Sequence, residues 1–79
     1  MSRISTLTSL PIGGLAEVIS VNIKGFSRNR LLDLGLTPAS RVEAVRRSPA
    51  GDPVAYKIRG AIIALRSEES NQITVRPIP

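Results

Sequence analysis

Apolar positions along the chain recur mainly at every second residue, the period of a half-buried strand. VAYKIR (Val54 to Arg59) alternates strictly, with Val54, Tyr56 and Ile58 on one face and Ala55, Lys57 and Arg59 on the other. RVEAVRR (Arg41 to Arg47) sets Val42 and Ala44 against Glu43, Val45 and Arg47, and QITVR (Gln72 to Arg76) sets Ile73 and Val75 among polar neighbours. In AEVISV (Ala16 to Val21), Val18 and Ile19 are adjacent, which predicts a strand partly covered on both faces. AIIALR (Ala61 to Arg66) follows Gly60, and this single turn residue predicts a bulge or sharp bend there, not a two-residue hairpin.

RNRLLDLGLTPAS (Arg28 to Ser40) breaks the alternation. Ser27 is placed to act as N-cap of a helix over about residues 28 to 34. Leu31, Leu32 and Leu34 crowd one side of it, and Arg28, Asn29, Arg30 and Asp33 supply the polar remainder. Gly35 fits the left-handed C′ position, Leu36 then folds back on Leu31 or Leu32 in a Schellman arrangement, and Pro38 prevents continuation. SEESN (Ser67 to Asn71), with a serine cap and two early glutamates, predicts one further helical turn. Pro11-Ile12 before Gly13-Gly14, and SPAGDP (Ser48 to Pro53), read as turns.

Five short strands with one or two small helical inserts predict a mainly β fold, a small partly open barrel of SH3-like or OB-like type. The leucine-rich helix is expected to plug one barrel end. A chain of 79 residues fits one small domain, 1–79, and its lack of cysteine and histidine leaves apolar packing and backbone pairing to hold it. The longest apolar run, AIIAL, is far below the ~20 residues of a membrane-spanning helix. The opening MSRISTLTSL lacks the apolar block of a signal peptide, so a cytoplasmic location without membrane insertion is expected.

Charge and chemistry narrow the function only by exclusion. Lys and Arg outnumber Asp and Glu by 11 to 6, a net charge of +5 that suits nucleic acid, anionic headgroups or an acidic protein face. Single-strand binders of barrel type stack bases on aromatic platforms, whereas this chain has only Phe26 and Tyr56, and Tyr56 lies on a core face. The same scarcity argues against the aromatic groove of a proline-peptide SH3 domain. Arg46-Arg47 beside Ser48 reads as a solvated strand end in preference to a phosphate contact. The six acids, Glu17, Asp33, Glu43, Asp52, Glu68 and Glu69, are scattered, so no catalytic set, metal site or cofactor site can be assembled.

The ordered motifs TLTSLPIGG (Thr6 to Gly14), LLDLGLTP (Leu31 to Pro38), GDPVAYKIRG (Gly51 to Gly60) and IALRSEESNQITV (Ile63 to Val75) resemble the FeoA family over about residues 6–76. Arg30, Leu31, Leu34, Gly35, Pro38, Gly51, Asp52, Pro53, Gly60, Leu65, Arg66, Glu69, Ile73 and Val75 fall at matching positions. Two departures are Ala39, where the family commonly has glycine, and Ala61-Ile62, where an aromatic is often seen. Ala39 is therefore expected to avoid a positive φ.

The resemblance implies an SH3-like barrel that is not an enzyme and does not itself carry iron. It implies a cytoplasmic accessory of ferrous iron transport, acting by protein contact with the FeoB permease and its G-protein domain. The same fold also occurs as a domain of iron-dependent repressors; the start at Met1 and the lack of a helix-turn-helix favour a free-standing protein. Aromatic and arginine residues around the helix make Phe26, Arg28, Arg30 and Leu36 the expected partner interface. A small basic nucleic-acid-binding barrel is the alternative, and an arginine finger at Arg28 or Arg30 acting on GTP hydrolysis is a third reading. Exposed strand edges also allow self-association.

Overall fold

The alternating segments become strands whose apolar faces meet in one core. The computed structural model describes residues 4–79, so the first three positions of the opening segment read as lacking a leader lie outside the described residues. The strands are β1 (Ser5–Thr6), β2 (Leu15–Val21), β3 (Arg41–Arg47), β4 (Val54–Ile58), β5 (Ala61–Leu65) and β6 (Ile73–Ile78), with helices α1 (Phe26–Asp33) and α2 (Ser67–Ser70). They form one antiparallel sheet in the order β1-β6-β2-β3-β4-β5. Ala16, Val18, Val42, Ala44, Tyr56, Ile58, Leu65, Ile73 and Val75 are buried in its interior, and for Val42, Ala44, Tyr56, Ile58, Ile73 and Val75 this is the face the alternation assigned.

Four local expectations change. The sheet has six strands, because β1 pairs Ser5 with Val75 and Thr6 with Thr74; two residues are too few to show a period. The adjacent Val18 and Ile19 mark a bulge, since the register against β6 shifts between Val18 and Ser20. That extra residue reverses the facing of the strand and brings Val21 inward. β4 and β5 are joined by a two-residue turn after all: Ile58 pairs with Ala61, with Arg59 at φ 50° and Gly60 at φ 84°. Both positive φ values are those of the I′ turn that twisted hairpins favour, and Arg59 adopts one despite its Cβ. Ala39 likewise takes φ 76°, against expectation. Its N–H donates to the Val18 carbonyl at 2.8 Å and the Val18 N–H donates to Ser40 O at 2.8 Å, so pairing with β2 holds the conformation that glycine would adopt freely.

α1 begins at Phe26, and Gly25, not Ser27, occupies its N-cap, at φ 76° and without a side-chain capping bond. The combination of φ 76° with ψ −145° is a backbone region essentially restricted to glycine, so the reversal falls at Gly25 and Ser27 lies inside the first turn. The C-terminus follows the sequence closely. Leu36 N–H donates to Leu31 O at 2.9 Å and Gly35 N–H to Leu32 O at 3.0 Å, the two bonds of a Schellman motif. Gly35 is at φ 103°, and a Cβ there would lie 2.7 Å from Arg59 Cδ. The helix end is thereby pressed onto the β4–β5 turn. Of its leucines only Leu31 is fully buried, joined by Leu36 beyond the helix; Leu32 is half-buried and Leu34 exposed. The plug is a narrow one.

α2 is capped from outside. Asp52 Oδ1 accepts from Ser67 N–H at 2.8 Å, and Glu69 Oε1 accepts from Arg66 N–H at 3.1 Å, so Arg66 is the N-cap and Ser67 the first helical residue. The GDP turn, whose Asp52–Pro53 peptide is cis, thus supplies the cap that serine was expected to provide. Behind α2, Thr8 and Ser70 hydroxyls bond at 2.8 Å, and the Tyr56 hydroxyl points to Leu7 O at 3.5 Å. These contacts tie the short helical turn Leu7–Ser9 to α2 between the outer strands β1 and β5, where the sheet is open. Burial holds the Tyr56 phenol above its ordinary pKa, which keeps it neutral; hydrogen bonding to Ser70 and the Arg47 charge oppose this, and Asp52 adds to it.

Candidate functional site

The outer face of α1 carries what the core does not use. Phe26 opens the helix with 93% of its surface exposed. Arg30 and Leu34 follow at successive intervals of four, so the three stand along one side of the helix. With Ser27, Asn29 and Asp33 they line a shallow, mainly apolar groove of about 420 Å³. An exposed phenylalanine of this kind gains on the order of 1.5–3 kcal/mol when fully covered. Phe26 is the most exposed of the large apolar side chains among the described residues, and it stands beside a second one, Leu34, in the same groove.

The four residues expected to form the interface divide three ways. Phe26 and Arg30 line the groove together. Arg30 lies 3.9 Å from Glu69 with its side chain 61% exposed, a surface pair weak enough to be exchanged for another partner. Arg28 also lies on α1, but its guanidinium donates to the Val21 carbonyl at the end of β2, which anchors the helix start to the sheet. Leu36 leaves the set. It is fully buried as the Schellman partner of Leu31 and presents no surface to a partner. Leu34 was assigned to the plug but is 37% exposed and lines the groove. Its spacing of eight from Phe26 was the signal for its place.

Two of the carboxylates are occupied away from the groove. Glu17 pairs with Arg76 at 3.0 Å, and Asp52, besides capping α2, lies 4.0 Å from Arg66. Among the described residues no three acids gather into a metal-binding group, and no helix is long and apolar enough to cross a membrane.

Comparison with known proteins bears on this architecture directly. The FeoA domain family matches residues 5–77. The chain belongs to the FeoA family. This family is associated with ferrous iron transport. FeoA of Chlorobium tepidum is 35% identical and superposes with a TM-score of 0.89 over 94% of this chain and 70% of that one. FeoA of Stenotrophomonas maltophilia, described as a prokaryotic SH3 domain protein complexed with zinc, is 30% identical with a TM-score of 0.76, covering 89% of this chain and 87% of that one. The fold is accordingly SH3-like. A Porphyromonas gingivalis protein in which Fe(2+) transport protein A is fused to the Fe(2+) transporter FeoB is 32% identical over 72 residues, 91% of this chain. The chain spans 8% of that relative's length. The fusion links the family to FeoB.

Proposed function

We propose that this FeoA family chain is a cytoplasmic accessory of ferrous iron transport. In this reading it docks on the cytoplasmic side of a FeoB-type permease, near its G-protein domain, through the outer face of α1. The observation that carries the reading is Phe26, which is 93% exposed beside Arg30 and Leu34 while the core is complete without it. The fused relative supports the choice of partner, because a domain joined covalently to a transporter works beside it at high effective concentration. The role is contact, not turnover, and iron is the transporter's cargo.

A pull-down with the cytoplasmic part of the permease is the first test, followed by ferrous iron uptake under iron limitation. Retention of the permease domain, and impaired uptake in a deletion strain with normal permease abundance, are the expected results. Normal uptake in that strain would remove the reading. Arg30 also has the exposure an arginine finger needs. An unchanged GTPase rate on adding the chain to the permease domain would reduce the role to docking. The nucleic-acid alternative has less behind it, since Tyr56 is buried and leaves Phe26 as the one exposed aromatic.

A further inference from the structure

A second concave surface lies across the outer face of β3, β4 and β5 and shares no residue with the α1 groove. It arises from a register fault. Between Ala44 and Arg46 the pairing of β3 with β4 shifts, so that Ala44 faces Tyr56 but Arg46 faces Ala55. The extra residue, Val45, re-aims the strand, and Arg46 stands on the outer face, where plain alternation from buried Ala44 would have turned it inward. Ala55 in turn pairs with Ala64 of β5. Arg46, Ala55 and Ala64 therefore form one row across three strands, a cation followed by two side chains too small to fill the space above them.

The result is a trough of about 410 Å³, floored by Ala55 and Ala64, also lined by Pro49 and Pro53, with Arg46 and Arg47 at its rim. Neither arginine takes part in an ion pair among the described residues. Ser48, beside them, donates its N–H to Pro53 O at 3.1 Å, but its Oγ is buried with no hydrogen-bond partner.

We propose that this trough docks an extended acidic polypeptide segment of a partner protein. Carboxylates of the segment meet Arg46 and Arg47, and small side chains lie over Ala55 and Ala64. Arginine forks suit carboxylates, and the flat alanine floor suits extended backbone. Nucleic acid fits less well, because no aromatic lines the trough for stacking and its cations number only two. A second copy of the chain is disfavoured by its own net charge of +5. The proposal stands apart from the α1 reading, and each can fail without the other.

The test is a titration of the isotope-labelled full chain at low salt with a capped octapeptide of alternating glutamate and alanine. Inorganic phosphate and a single-stranded DNA oligomer serve as parallel titrants. Peptide-induced amide shifts are expected to centre on residues 46–48, 55 and 64. Arg46→Ala should weaken the affinity about tenfold. Ala64→Glu, an exposed position that leaves β3 untouched, should block the trough while the rest of the spectrum stays native. Absence of peptide binding, shifts centred elsewhere, affinity unchanged in both variants, or tighter binding of phosphate or DNA would overturn the proposal.

Discussion

The two helices are both short, yet the fold treats them differently. α2 is held at both ends: Asp52 and Glu69 accept from the N–H groups at its start, and Ser70 is buried against Thr8. α1 is closed by backbone bonds at one end only, and its start is tied to β2 through Arg28. Its C-terminus is closed by the Schellman bonds and by Gly35 on Arg59, while its N-terminus has no side-chain cap and displays Phe26 to solvent. A helix that served only as a plug would have no use for that phenylalanine. The difference separates a structural helix from one that combines a structural face with a free one.

The sharpest way to break the contrast is through the buried face of α1. Leu31→Ala should cost about 2–5 kcal/mol in urea unfolding, because Leu31 is fully enclosed in the core. A loss below about 1 kcal/mol would mean that α1 is not a part of the core at all. Gly35→Ala should come next, at roughly 1–3 kcal/mol, since it combines a positive φ with a Cβ 2.7 Å from Arg59 Cδ. Adding Arg59→Ala should recover only part of the loss, the part due to the clash. For α2, Asp52→Ala should cost about 0.5–2 kcal/mol through the lost cap, with increased hydrogen exchange confined to residues 67–70. At the other extreme, Phe26→Ala should change stability by less than about 0.5 kcal/mol, as for a surface side chain without partners.

What the sequence made legible were features with a long enough signal. β4 alternates over its whole length, and the Leu31–Leu36 closure is written in Gly35 and Pro38; both formed as read. What escaped was decided by single residues or by distant ones. The bulges at Ile19 and Val45 are one-residue insertions that appear only against a partner strand, and the one at Val45 moved Arg46 to the outer face. Asp52 caps α2 across a separation of fifteen residues, beyond any local capping pattern. Ala39 and Arg59 hold positive φ because tertiary pairing outweighs a local preference of about 1–2 kcal/mol. Of the candidate groove, the place of Phe26 and Arg30 on the outer side of the helix was legible from residue type and spacing. Leu36 could not, since the same apolar side chain serves equally as core or as contact until burial is known.

The central claim is that the free face of α1 contacts a FeoB-type permease. It is tested most directly by calorimetric binding of the full chain, and of its Phe26→Ala variant, to the permease's cytoplasmic region. The account predicts that the wild type binds and that the variant, equally stable, binds at least about tenfold more weakly. Equal affinity for the two proteins, or no binding by either, would contradict it.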